Sequence, residues 1–255
     1  MKYRVQLTGV ALTAGLFLAL PATAFDWSDV LKGAVGQSSG QSTSSPSGVD
    51  ALSNADVQAG LKEALTRGAD AAVAQLGVKD GFYGNPTLKI PLPSSLQKAE
   101  QAMRLMGMGQ QADDLVLAMN RAAEAAVPQA KTLLVDAVKA ISLEDAKGIL
   151  TGGSTSATDF FRNKTEATLT ERFRPIVKAT TDKVGLAQQY NRYAGMASQF
   201  NLVDKSQASV EQYVTQQSLD RLYRLIGEKE QAIRANPMQA GSDLLKQVFG
   251  AVSGK

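Results

Sequence analysis

QQADDLVLAMNRAAEAAV, residues Gln110 to Val127, is the stretch that decides the fold class. At about 100° per residue, Leu115, Ala118, Met119, Ala122, Ala125 and Ala126 gather on one broad apolar face. The opposite side of an ordinary surface helix would be charged. Here it carries Val116, Leu117, Ala123 and Val127 among Asp113, Asn120 and Glu124. A helix that is apolar nearly all round is buried on more than one side. Asp113, Asn120 and Glu124 then become candidates for a buried polar network, because such groups are costly to bury unless hydrogen-bonded or paired. Arg121, one position off that stripe, is the nearest cation in sequence. Pro128 has no N–H and clashes with the preceding turn, which predicts a kink or a fresh start. Leu133, Leu134, Ala137, Val138 and Ile141 then resume helical spacing.

Outward from this stretch, the N-terminal side repeats the pattern. Ser53 or Asn54 caps a helix over Asp56 to Leu76, whose buried stripe is Val57, Leu61, Leu65, Gly68, Ala72 and Leu76. Lys62, Glu63, Thr66, Arg67 and Asp70 fill the other side, with Glu63 and Arg67 as a solvated i,i+4 pair. Val78 to Pro93 is the longest non-helical stretch, with turn chemistry at Asp80-Gly81, Gly84 and Asn85-Pro86 and an extended run over Thr87 to Leu92. A loop this long is either draped over an apolar surface or functional. Phe82, Tyr83, Leu88, Ile90 and Leu92 favour draping; the alternative is that Phe82, Tyr83, Ile90 and Leu92 form a rim that grips a ligand or a partner.

Ser94 or Ser95 opens a helix with Leu96, Ala99, Met103 and Met106 in heptad-like register, stopped by Gly107 and Gly109. Met103, Met106 and Met108 fill core, or else line an adaptable apolar pocket. Ser142 caps a short helix with Asp145 in its first turn, ending at Gly152-Gly153. That glycine pair has no following Gly-Lys-Ser/Thr and no preceding strand, so it is no P-loop. Ser156, with Asp159 three residues on, caps a longer helix carrying Phe160, Phe161, Leu169, Phe173, Ile176 and Val177, which Pro175 is placed to bend. One of its arginines, Arg162, Arg172 or Arg174, is expected to reach Glu124, since a buried carboxylate needs a partner. Helices over Leu186 to Phe200, Ser209 to Ala235 and Pro237 to Phe249 complete the chain, and Leu244, Leu245, Val248 and Phe249 let the last one clamp the bundle or dock elsewhere. The expectation is all-α: one bundle-like domain from Ser53 to the C-terminus with about seven or eight helices, one long Pro/Gly-rich loop and no sizeable sheet.

Ahead of that domain, Met1 to Ala24 reads as a signal peptide, with Lys2 and Arg4 as its basic region, Val5 to Leu20 as its apolar core and Ala22-Thr23-Ala24 as the cleavage site. The apolar run is shorter than the ~20 residues that span a bilayer comfortably, and no second long run follows, so no transmembrane segment is expected in the mature chain. Residues 25–36 form a short amphipathic segment with Trp27, Val30, Leu31, Ala34 and Val35 on one face, and 37–52 a Ser/Gly-rich flexible linker. With no cysteine, neither lipoprotein acylation nor a disulfide framework is available. These features point to a periplasmic or secreted protein of bacterial origin. Cleavage lowers the Lys and Arg count from 27 to 25 against 24 acidic residues, so the mature charge is near neutral and nucleic acid is not an expected partner. Asn163-Lys164-Thr165 matches a glycosylation sequon but falls within a helix, which gives it little weight.

Asn120-Arg121-Ala122-Ala123-Glu124, GFYGNP (Gly81 to Pro86), KIPLP (Lys89 to Pro93) and the segment Asp145 to Phe161 together resemble a bacterial family known as domain of unknown function 4197. The resemblance runs from about Ser53 to Gly250. It implies an exported helical protein with no assigned activity and carries over no catalytic residue.

The chemistry available is narrow. Without histidine or cysteine the chain lacks the commonest general base, the favoured zinc ligand and thiol nucleophiles. Carboxylate-pair hydrolysis stays open through Asp113, Asp114 and Glu124, although an internal ion-pair network suits them better. No EF-hand spacing occurs, and no metal or cofactor is implied. The leading expectation is a non-enzymatic binding domain of the cell envelope for a protein, lipid or apolar ligand; the alternative is a carboxylate-dependent hydrolase of an envelope polymer.

Overall fold

A computed structural model of the chain describes residues 53–107, 109–199 and 204–236. The leader, the amphipathic segment, the linker, Met108 and the terminal segment from Pro237 lie outside the described residues, as does the side chain of Met103. The described residues form eight α-helices and no strand: α1 (Asn54–Leu76), α2 (Ser94–Leu105), α3 (Gly109–Ala126), α4 (Ala130–Lys139), α5 (Leu143–Thr151), α6 (Ser156–Thr181), α7 (Gly185–Gln199) and α8 (Val210–Ala235). The all-α expectation therefore holds. None of these helices is long and apolar enough to cross a membrane.

Helix starts follow their caps. Ser53 accepts the Asp56 N–H at 3.1 Å at the head of α1. At α5, Ser142 accepts the Asp145 N–H and the Asp145 carboxylate accepts the Ser142 N–H, a complete capping box. The hydroxyl and N–H of Ser142 hold the Asp145 carboxyl below its ordinary range. Pro128 does interrupt the central run, as a single 3₁₀ turn over Val127–Gln129 between α3 and α4. Two starts depart from the pattern: Gln129 makes no side-chain cap at α4, and Ser156 does not cap α6. Thr155 occupies the cap position without a side-chain bond, and the Ser156 hydroxyl turns back to the Ile149 and Gly153 carbonyls.

The core centres on α6, which packs against α8 and α3. Its buried stripe Phe161, Thr165, Leu169, Phe173 and Val177 steps by four residues. Partners Ala157–Glu230, Thr165–Tyr223 and Glu166–Gln216 climb α6 as they descend α8, so the two helices run antiparallel. On the far side α1 packs on α4 and α8. There Gln58 and Lys62 donate to the Ile141 and Lys139 carbonyls at 2.9 Å, closing the end of α4.

Tyr223 is fully buried between α6 and α8, its hydroxyl 2.8 Å from that of Thr165, and burial pushes its phenol up to about 12 from an ordinary 10.0. A folded value raised above the unfolded one means the stabilisation is whole below pH 10 and is lost as pH climbs towards 12. The difference amounts to roughly 2–3 kcal/mol. Alkaline titration followed by tyrosinate absorbance should show late phenols coinciding with unfolding, because burial raises Tyr213 as well as Tyr223, and Tyr223→Phe should leave one fewer; an unchanged number of late phenols contradicts this. At a different place in the core's periphery, Gly148 stands on the exposed side of α5 with open space where a Cβ would sit. Gly148→Ala should raise stability by about 1 kcal/mol through helix propensity alone, read as a higher denaturant midpoint with an unchanged slope.

Candidate functional site

The Val78 to Pro93 loop meets the polar stripe of α3, and the two satisfy one another. Helix α1 stops at Gly77, after which Asp80 takes a left-handed φ of 68°. Gly81 follows because a Cβ there would lie 2.6 Å from the Gln75 and Leu76 carbonyl oxygens, closer than any side chain tolerates. The turn carries Phe82 into the core at 0% exposure and aims the Phe82 and Tyr83 amides at α3. Glu124, 5% exposed, accepts both of these N–H groups on Oε1 at 3.1 Å. Its other oxygen takes Arg121 Nη1 at 2.6 Å, while Arg121 Nη2 reaches Asp80 at 2.7 Å. Both carboxylates hold the Arg121 guanidinium above its ordinary value. The Tyr83 ring lies under Lys89 Nζ, 4.1 Å from its centroid, and beside the Arg121 guanidinium at 5.6 Å.

One helical turn earlier, Asn120 does for KIPLP what Glu124 does for GFYGNP. Its Oδ1 accepts the Ile90 N–H at 2.8 Å and its Nδ2 donates to the Ile90 carbonyl at 2.9 Å. Those are the two bonds a neighbouring strand would make, so a fully buried amide stands in for a sheet partner. The same Nδ2 also donates to the Val116 carbonyl at 2.7 Å.

Helix α8 closes the outer edge of the loop. Arg221 Nη2 donates to the Lys89 carbonyl at 3.1 Å, Arg224 donates to that of Thr87, and the Tyr213 hydroxyl donates to that of Pro91 at 3.1 Å. An irregular segment enclosed in a bundle must place its backbone polar groups somewhere, and here side chains of α3 and α8 take them. Arg221 lacks a carboxylate in this arrangement, and burial depresses its guanidinium.

The expected network is thus assembled around Asn120, Arg121 and Glu124, but Asp113 is not part of it. Asp113 stands near the start of α3, past its first turn, its side chain 52% exposed, and pairs with Arg104 at 2.7 Å, which keeps its carboxyl below the ordinary range. Nor does an arginine of α6 reach Glu124. Arg162 pairs with Glu166 and Asp220, and Arg172 and Arg174 are exposed. The partner is the near neighbour Arg121. Two apolar placements also differ from the wheel: Ala125 is exposed, and Leu117 is 38% exposed. Phe82, Ile90 and Leu92 point into the core, so the loop lies draped and offers no rim from these three side chains; Tyr83 is half-buried.

A second buried carboxylate escaped the sequence analysis. Glu230 of α8 accepts the Ala157 and Thr158 N–H groups at 2.9 Å, together with the Thr158 hydroxyl at 2.8 Å. It caps α6 from across the fold, which is why Thr155 and Ser156 need not. Arg234 binds Glu230 at 2.9 Å and the Ile149 carbonyl at 2.6 Å, joining the end of α5 to the start of α6. The signal was present: Glu230 falls four residues after Ile226 and three before Ile233, on the apolar stripe of α8.

Chemically, each arrangement fixes backbone rather than presenting a reactive atom. Both oxygens of Glu124 and of Glu230 are engaged by cations, amides or a hydroxyl. Among the described residues no group of three or more acidic side chains is placed to hold a metal ion. Comparison with curated proteins and with solved structures gives no match. The family model described as "Protein of unknown function (DUF4197)" matches residues 51–250, which takes in Gly81 to Pro86, Lys89 to Pro93 and Asn120 to Glu124, and the chain belongs to that family.

Proposed function

We propose that this protein is an exported, non-enzymatic interaction domain of the bacterial cell envelope, engaging an apolar partner surface. The observation that carries the reading is the corner between α2 and α3. Leu105 is 90% exposed and Met106 73%, side by side at a turn that Gly107 makes with a φ of 76°. Two adjacent large apolar side chains held in water by a fixed turn are what a binding anchor requires. Methionine suits an adaptable contact, since its unbranched thioether fits irregular surfaces. Export rests on the leader-like Met1 to Ala24. The hydrolase reading needs two free carboxylates in an open cleft; Glu124 is enclosed against Arg121 and Asp113 is held by Arg104.

The test is co-sedimentation of the purified mature chain with envelope membranes and with peptidoglycan sacculi. Binding to either that is lost in Leu105→Glu/Met106→Glu and kept in Asp113→Asn supports the proposal. Release of soluble fragments from sacculi supports hydrolysis instead, and failure to sediment with both overturns the binding reading. Export is checked by the intact mass after expression, which should lack residues 1–24.

A further inference from the structure

Of the two methionines with described side chains, Met119 is fully buried in α3 and Met106 is 73% exposed at the corner of α2 and α3. We infer that Met106 is a reversible oxidation site whose sulfoxide switches off the anchor formed by Leu105 and Met106. The switch rests on the binding reading given above.

The thioether is held where an oxidant reaches it. The Gly107 N–H donates to the Arg104 carbonyl at 3.2 Å, and the left-handed φ of Gly107 turns the chain there. Arg104 binds Glu100 within α2 and Asp113 on α3, each at 2.7 Å, so an ion pair spans the corner. The exposure of Met106 thus belongs to a tied turn and not to a frayed helix end. Met119, by contrast, is reached only when the fold opens.

The chain has no cysteine, so methionine is the only sulphur it offers an oxidant. Hydrogen peroxide transfers one oxygen atom to Met106 Sδ: the O–O bond breaks, the S–O bond forms, the sulphur gives up two electrons and water leaves. A dithiol reductant returns the two electrons, becomes a disulfide and removes the oxygen as water. The sulfoxide is polar where the thioether was apolar and adaptable, and drying it against an apolar partner is costly. Met106 adds little to the core, so its oxidation should weaken binding without loosening the fold.

Trypsin releases Leu105 to Arg121 as one peptide that carries both Met106 and Met119. After brief treatment of the purified chain with hydrogen peroxide, fragment-ion masses should show Met106 oxidised at least about tenfold faster than Met119, with an unchanged denaturant midpoint. Affinity for envelope membranes or sacculi, read by sedimentation, should fall about tenfold and recover on treatment with methionine sulfoxide reductase and dithiothreitol. Met106→Leu is compared only with itself: peroxide should leave its affinity where it was. Equal oxidation of the two methionines, an equal loss in Met106→Leu, or a loss that the reductase does not reverse overturns the proposal. Undiminished binding by the oxidised chain also overturns it and leaves the binding reading standing. A chain that sediments with neither probe before peroxide overturns both.

Discussion

Replacing Glu124 by alanine is expected to cost about 3–5 kcal/mol of folding stability, a large share of what a domain of this size possesses. Three losses coincide. The Phe82 and Tyr83 amides lose their acceptor, the Phe82 amide within the core. Arg121 keeps only the exposed Asp80 as a carboxylate partner. A void opens beside Phe82, which is fully buried. Glu124→Gln should cost less than half as much, because its amide oxygen still accepts from the loop while the charge pair is lost. Chemical denaturation of the two variants beside Asp113→Asn gives the ordering: Ala worst, Gln intermediate, Asn within about 0.5 kcal/mol of the parent, as befits an exposed pair. Should Glu124→Gln and Asp113→Asn leave stability intact and abolish a measurable activity, the structural account of Glu124 and the loop it holds is wrong.

That ordering separates what the helical wheel carries from what it cannot. Asn120 and Glu124 were legible as enclosed because Ala123 and Val127 lie on the same side of α3, and no solvated helix face is built that way. Asp113 shares their angle but not their position along the axis. It stands nearer the start of α3 than Asn120 and Glu124 do, where its side chain is exposed, and a wheel collapses that axis. Leu117, on the same side as Asp113, and Ala125, on the apolar face, fail for the complementary reason, since each side of α3 is covered only where a neighbour reaches it.

Partners were less legible than burial. The burial of Glu124 called for a cation, and α6 offered three, but the choice depends on how two helices meet, which sequence spacing does not encode. Arg121 takes the role because i to i+3 keeps it within reach whatever the packing. The loop illustrates the same limit. Its apolar residues announced that it lies on a surface, whereas the use of an asparagine as a substitute strand edge depends on Ile90 and Asn120 arriving at one depth.

Glu230→Ala should cost about 3–4 kcal/mol, and its signature differs from that of Glu124 because two helices lose their junction at once. Without the carboxylate, the Ala157 and Thr158 amides at the head of α6 are left against the core with no side-chain cap of their own, since Thr155 makes none. Arg234, 15% exposed, keeps its bonds to the Ile149 and Ser156 oxygens but loses its ion pair with Glu230. Thr158→Val isolates the smallest part of this: it removes the hydroxyl bond alone and should cost about 1 kcal/mol. Hydrogen exchange locates the damage. In Glu230→Ala the amides of the first turn of α6 should lose protection before those around Phe173, whereas Glu124→Ala should expose Phe82 and Tyr83 first. If Glu230→Ala instead loosens the whole of α6 uniformly at small cost, the carboxylate is not what holds that end. The antiparallel pairing of α6 with α8 would then rest on the Phe161 to Val177 stripe and on the Thr165–Tyr223, Glu166–Gln216 and Arg162–Asp220 bonds.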